Sequence, residues 1–493
     1  MAEKTSYGSI FKSTFLFSFV QVVRILVGVI KNKIVAILLG AEGMGIMGLL
    51  NNAASLIKTG AGLGISQSAV RDISHANGTG DQEKISRIIN IVRKVVLFTS
   101  FLGMFITIVL SPLLSKWEFG DYTYTLAFVF LSISVFFEIF VDNQLAILKG
   151  TRQLRSLAKA SIWGALIGLI TGVPLYFWLG VKGIVPSFII SAFATFLVTR
   201  YYVNKINYER TKIPIRIVVK EASPMVKMGA ALMFTTLLGM ISTFIIASYM
   251  RYAGGLSDVG FYNAGMMIVH SYFGVVITAL TTDYYPRISA VNQDNEKLSQ
   301  ELNQQSLVSV LLTSPLIVLF LLLLPFFVKI LYTDEFLPIV NFMKIAMFGT
   351  LITIVSNQAD MIIVAKFKIR VFTIVAVSMR VFQVVISILL FKYLGLIGMG
   401  VAEVLRSFVH LIIFTVLDYK MYGIKFNMVF LRVAAIILFI TLSTVLVSVL
   451  NSLWLRYSLG LVLFAASVGL LFFSSKKYMG IDFMTLVKNK LHK

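Results

Sequence analysis

The chain has 493 residues, of which 58% are hydrophobic and 13% charged, with a net charge of +22 and a mean hydropathy of +0.88. A charged share about half that of an ordinary soluble domain excludes a soluble fold, and together with 40 Phe, 34 Gly and 9 Pro it fits an all-α polytopic membrane protein. The absence of cysteine excludes disulfides and thiolate metal sites. The four histidines, His75, His270, His410 and His492, show no metal-ligand spacing, so no metal centre and no cofactor are expected.

The opening residues "MAEKTSYGSIFKS" lack the basic start, short apolar core and cleavage site of a secretory signal, so the first apolar segment is expected to stay. About fourteen segments are each near the ~20 residues a helix needs to cross the hydrocarbon. In chain order they are 12–39, 44–70, 95–115, 122–147, 160–179, 183–203, 226–250, 258–283, 306–328, 337–365, 370–391, 394–417, 429–450 and 455–474. The connections are short. The longest, about 71–94, 204–225 and 284–305, are amphipathic and too small to fold as catalytic domains.

Charge orients these spans. Of the 44 Lys and Arg, 31 fall at or near span ends on the side of the N-terminus, 6 fall on the other side, and 7 lie within spans. An excess of that size makes the first side cytoplasmic, with both termini inside. The cations thus reflect membrane orientation, and no nucleic-acid partner is expected.

The sequence also contains itself. Phe11–Gly40 aligns with Val226–Gly255 at an offset of 215, placing Lys12 on Lys227 and Gly40 on Gly255; Gly45 meets Gly260 at the same offset. Arg71 falls near Arg287 at 216, and Asn143–Gln144 meets Asn357–Gln358 at 214. A nearly constant offset at four places predicts two six-helix lobes, 1–210 and 211–420, related by a parallel repeat, with a C-terminal helix pair and tail at 421–493.

Charges inside the spans are the candidate functional residues, because each costs a few kcal/mol in lipid even on mild insertion scales. Gln21, Arg24, Gly28 and Lys31 share one helical face, left hollow at Gly28. Lys58 on the second span lies about as deep as Arg24, with Asn51 and Asn52 one to two turns nearer the outside. These residues would line one water-filled cavity suited to an anion. A structural reading competes: Lys31 and Lys33 can snorkel to the outer interface, and Lys58 can pair with Glu138 or Asp142 of the fourth span. In the second half, Lys344, Asp360, Arg380, Glu403 and Arg406 fall on spans ten to twelve. Glu403 and Arg406 are spaced to satisfy each other, while Asp360 and Glu403 are the candidates for H⁺ or Na⁺ coupling, since a lone buried carboxylate titrates easily. No P-loop, HExxH or paired acidic cluster for a diphosphate-bound metal is present.

The stretch "LGAEGMGIMGLLNNAASLIKTGAGLGISQSAVRDIS" (Leu39–Ser74) resembles the second-helix region of Wzx-type O-antigen and polysaccharide-repeat flippases. The resemblance rests on Gly40, Gly43 and Gly45, then "GAGLG" at Gly60–Gly64 and Arg71; "VGFYNAG" (Val259–Gly265) resembles the matching entrance of the second lobe, and "LKGTRQLRSLAKASI" (Leu148–Ile162) the basic loop before span five. These flippases share the multidrug/oligosaccharidyl-lipid/polysaccharide exporter superfamily with lipid II flippases and MATE drug exporters. The resemblance implies two lobes in a V, alternating access, and a cargo of short glycan on undecaprenyl diphosphate moved to the outer leaflet of a bacterial inner membrane. It also implies work as a monomer beside a polysaccharide polymerase and a chain-length regulator. Fourteen spans instead of the twelve common in Wzx proteins matches lipid II flippases.

The expected function is therefore lipid-linked oligosaccharide flipping, not enzymatic catalysis. Arg24 and Lys58 would bind the diphosphate and Lys31 would assist near the exit. The rivals are an ion-coupled multidrug exporter of the same superfamily, which would want a cavity dominated by carboxylates, and a polysaccharide polymerase or glycosyltransferase, which usually needs a substantial outer loop that this chain lacks.

Overall fold

The computed structural model describes residues 2–79, 81–206, 208, 209, 211, 213–269, 274 and 284–479, with side chains from residue 20 onward. The C-terminal tail from 480, His270, His492 and most of the expected eighth span beyond residue 269 lie outside the described residues, as does the Lys12 side chain.

Every described element is helical: α1 (Ala2–Ala61), α2 (Ile65–Thr79), α3 (Gln82–Phe119), α4 (Thr125–Gly150), α5 (Leu154–Leu179), α6 (Ile184–Asn204), α7 (Ile215–Gly254), α8 (Leu256–Met267), α9 (Tyr284–Ala290), α10 (Asn295–Leu331), α11 (Ile339–Ala365), α12 (Ile369–Tyr422), α13 (Met428–Val447) and α14 (Leu453–Ser474). Among the described residues, nine helical stretches are long and apolar enough to cross a membrane. The reason is the one read from composition: in hydrocarbon a backbone must satisfy its own hydrogen bonds, and a helix does so within one segment.

Several helices outrun the apolar windows that announce them. The segment expected at 95–115 is the middle of α3, 38 residues long, and that at 306–328 is the middle of α10, 37 residues long. At 1.5 Å per residue each spans roughly 55 Å, well beyond a ~30 Å hydrocarbon core. Both begin at an aspartate cap: Asp81 accepts the backbone N–H of Lys84, and Asp294 accepts those of Glu296 and Lys297. The same backbone N–H groups hold the Asp294 carboxyl below the usual carboxylate range.

Glycine sets the bends. α1 turns at Gly40 (φ 65°, ψ −168°) and α12 at Gly395 (φ 57°, ψ −141°); Gly180 between α5 and α6 (φ 55°, ψ −133°) and Gly255 between α7 and α8 (φ 94°, ψ 179°) take similar shapes. A side chain is strained there. Gly40 and Gly255 are 215 residues apart, and so are Gly180 and Gly395. The packing repeats with them: a Cβ on Gly183 would strike the Leu175 carbonyl, and one on Gly398 the Leu390 carbonyl, again 215 residues on. Gly395→Ala is expected to cost about 1–3 kcal/mol, read as a lowered unfolding midpoint of the purified protein in detergent; an unchanged midpoint would show that the bend relaxes freely.

The chain divides into two compact units, 1–263 and 264–493, with the boundary inside α8. In the first, α4 packs against α3, α6 and α2, and the two segments of α1 pack against α3, α4, α5 and α7. An apolar cluster around Ile65, Ile73, Ile89, Val92, Ile147 and Leu148 joins α2, α3 and α4. In the second, α11 packs on α12, and the C-terminal α13 and α14 pack on α10 through Val318, Leu322, Ile440 and Leu463. Gln358, fully buried on α11, accepts a hydrogen bond from Ser306 and donates one to Ser309 of α10, each at 2.7 Å.

Candidate functional site

In the first unit, charge gathers around Lys58. Its Nζ lies 3.3 Å from Glu138 Oε2 and 3.4 Å from Asp142 Oδ2. The two carboxylates are i, i+4 on α4 and therefore share a face. Lys31 also lies within electrostatic reach of Glu138, and its Nζ stands 5.9 Å from the centre of the Phe188 ring. Glu138 thus pairs with Lys58 and feels the charge of Lys31, 27 positions earlier in the sequence. Next to the pair is a cavity of about 150 Å³ lined by Lys58, Gln67, Asp142, Asn143, Met233 and Thr236 among others. Asn143 is buried; its Nδ2 donates to Ile139 O, while its Oδ1 has no hydrogen-bond partner among the described residues.

The "GAGLG" motif shapes this cavity. Leu63 and Gly64 both take positive φ, 49° and 61°, ending α1 and opening α2. Gly64 then meets Gly229 of α7 backbone to backbone, where a Cβ on either would overlap the other. A similar approach occurs at the other end of this α1 segment. Gly45 lies against Leu256 O and Gly260 of α8, and Gly260 lies against Ala41 O and Gly45.

The remaining candidates of the first unit take varied places. Gln21, Arg24 and Asn51 are exposed on α1, and a Cβ on Gly28 would meet nothing within 4 Å. Among the described residues no carboxylate lies within ion-pair distance of Arg24. Asn52 is half-buried, with its Nδ2 lacking a partner among the described residues. Only Lys31 and Lys58 are brought together. Lys58 is therefore not a free anion hook, as the competing structural reading allowed: two carboxylates already neutralise it.

In the second unit Glu403 and Arg406 form the expected i, i+3 pair, with Nε and Nη2 of one guanidinium edge donating to the two carboxylate oxygens. Asp360 is not the lone carboxylate that the sequence suggested. His410 of α12 places Nε2 at 3.8 Å from Asp360 Oδ2, and Asp418, fully buried and without a hydrogen-bond partner among the described residues, is electrostatically coupled to Asp360. Sequence reasoning missed His410 and Asp418. Their signal was the i, i+4, i+8 series His410–Phe414–Asp418 on one face of α12, capped by the His410–Phe414 ring contact at 4.7 Å. Lys344 is buried on α11 and donates to Ser448 O at 3.0 Å, closing the end of α13. Among the described residues no cluster of His, Asp and Glu suits a metal ion.

Long apolar helices bent at glycines, with charged residues among them, define a polytopic membrane protein. Solved structures share this fold. The lipid II flippase MurJ in an inward closed conformation matches with a TM-score of 0.70 at 14% identity, over 95% of this chain and 99% of that one. An inward-facing multidrug resistance MATE family transporter of the MOP superfamily matches at 0.65 and 16%, over 81% and 94%. A MOP superfamily transporter from Pyrococcus furiosus, described by the reverse polarity of its binding pocket, matches at 0.57 and 16%, over 84% and 96%. No curated sequence matches the chain. The chain belongs to the polysaccharide biosynthesis protein family, whose profile matches residues 34–341.

Proposed function

We propose that the protein flips a lipid-linked oligosaccharide, a short glycan on undecaprenyl diphosphate, from the cytoplasmic to the outer leaflet of a bacterial inner membrane. It does so by alternating access through fourteen spans arranged as two six-helix lobes, 1–210 and 211–420, plus a C-terminal pair, with both termini in the cytoplasm. The repeat is supported by the two bent glycine pairs and the Gly183 and Gly398 contacts at the common offset of 215. The function is supported by family membership together with a flippase-like fold. The observation that carries it is a cation on a membrane helix: Arg24 of α1, exposed and with no carboxylate at ion-pair distance among the described residues. A diphosphate brings about two negative charges, and desolvated cations offset its transfer. Gln21, Asn51 and Asn52 would meet the sugars. Coupling to H⁺ or Na⁺ falls to Asp360 with Asp418 beside it, and Glu403, held by Arg406, is the weaker candidate.

The test is leaflet flipping of a fluorescent undecaprenyl-diphosphate glycan in proteoliposomes, wild type against Arg24→Ala and Lys58→Ala at matched reconstitution. Both variants are expected to lose about tenfold or more in rate, the equivalent of one charge-assisted contact. Wild-type rates in both would make these cations structural. A second reading, ion-coupled multidrug export, draws on Glu138 and Asp142, whose carboxylates suit a cationic drug. Uptake of a cationic dye by the same vesicles, with no glycan flipping, would favour it.

A further inference from the structure

On the flippase reading, on which this inference rests, the cavity beside Lys58 receives one part of the cargo, and its walls select which. A phosphate needs a free cation or a set of free donors. Among the described residues lining the cavity Lys58 is the one cation, and its Nζ already lies 3.3 Å from Glu138 Oε2 and 3.4 Å from Asp142 Oδ2. Two of its three N–H donors are thereby engaged.

The other polar groups of the wall lean towards accepting. Asp142 of α4 lines the cavity and keeps lone pairs beyond its contact with Lys58. Asn143 beside it is 3% exposed; its Nδ2 is spent on Ile139 O, and its Oδ1 has no hydrogen-bond partner among the described residues. Thr59 of α1 donates from Oγ1 to Met240 Sδ at 3.0 Å, which leaves that hydroxyl only its lone pairs. Gln67 of α2 and Thr236 of α7 can donate or accept, and Ile139 and Met233 add an apolar patch. The volume of about 150 Å³ equals about five waters at ~30 Å³ each. That is the scale of one sugar ring.

We propose that this cavity is a monosaccharide subsite for the cargo glycan: it takes one neutral, hydroxyl-bearing ring and rejects a ring that carries a carboxylate. Ring hydroxyls donate to Asp142 and Asn143, ring oxygens accept from Gln67 and Thr236, and the C–H face of the sugar rests on Ile139 and Met233. Each hydroxyl supplies a donor that the wall lacks. A uronate would instead set acceptor against acceptor in a poorly solvated site. Lys58 acts here as a positioning residue that holds the Asp142 carboxylate in place.

The experiment measures Kd for the full chain in nanodiscs with three polyprenyl-diphosphate probes, carrying glucose, glucuronic acid, or a cyclohexylmethyl group of similar size without hydroxyls. The wild type is expected to bind the glucose probe about tenfold or more tighter than either of the others, because a site built for hydroxyls rejects rings that lack them. Asp142→Asn puts an N–H donor where a carboxylate oxygen stood, so the glucuronate probe should draw level with the glucose probe. Thr236→Val, nearly isosteric and on a different helix, should shrink the preference for glucose over cyclohexylmethyl. Each readout is a ratio within one protein, so a smaller folded fraction leaves it unmoved. Equal binding of the three probes by the wild type, or ratios that stay put in both variants, would overturn the subsite and leave the flippase reading standing. Absence of binding by every probe would overturn the flippase reading, and the subsite with it.

Discussion

Gly45→Leu and Gly260→Leu proteins are expected to insert normally yet flip cargo at less than about a tenth of the wild-type rate, which corresponds to a loss of ~1.4 kcal/mol or more. At each site the atoms that a Cβ would strike are backbone: Leu256 O and Gly260 N at Gly45, and Ala41 O and Gly45 N at Gly260. A side chain could turn aside, but a backbone can yield only if the two helices part. Overpacking of this kind costs about 1–3 kcal/mol, and it falls on whichever conformation needs α1 and α8 in contact. A transporter that must visit that conformation in every cycle then stalls. Because the chain has no cysteine, a single reporter is easily read. Ala41 is fully buried, so Ala41→Cys should resist an impermeant maleimide in the wild-type background and react once Gly260→Leu is added. Unchanged flipping together with continued protection would mean that the contact tolerates bulk.

Gln358→Leu is expected to destabilise the second unit by roughly 1–3 kcal/mol, the cost of leaving buried polar groups without partners. The substitution strips the Ser306 and Ser309 hydroxyls of their bonds to the amide, and all three residues are buried. Serines can turn back to a carbonyl in their own helix, and hydrogen bonds between membrane helices average well under their nominal worth; both effects favour the lower end. The diagnostic is the triple variant Gln358→Leu, Ser306→Ala, Ser309→Ala, which removes the orphaned groups and should recover part of the lost unfolding midpoint in detergent. A triple variant less stable than the single one would show that packing, not hydrogen bonding, sets the cost.

The matched dipeptides Asn143–Gln144 and Asn357–Gln358 show how far a repeat can be read. Both glutamines are buried and bonded to hydroxyls on a neighbouring helix, but Gln144 accepts from Thr199 of α6 whereas Gln358 bonds to Ser306 and Ser309 of α10. An alignment preserves residue type and depth; it does not preserve the partner, because each half packs against different neighbours.

Composition and hydropathy alone determined that this chain is a bundle of long membrane helices, since a backbone in lipid has few other options. The expected span ends at 39 and 179 fall beside the bends at Gly40 and Gly180, because a residue without a Cβ takes the positive φ that such a turn needs. The i, i+3 pair of Glu403 and Arg406 was legible for the same local reason: both partners sit on one turn. Helix ends were less so, as α3 and α10 continue past their apolar windows on the strength of the Asp81 and Asp294 caps. What only the tertiary structure decided is which charge meets which. Lys58 finds Glu138 and Asp142 about 80 residues away, and Asp360 finds His410 across 50. Electrostatic pairing falls off over a few ångströms in space and is blind to distance along the chain, so the charges that the sequence could list acquired their partners, and their chemistry, only once the helices were packed.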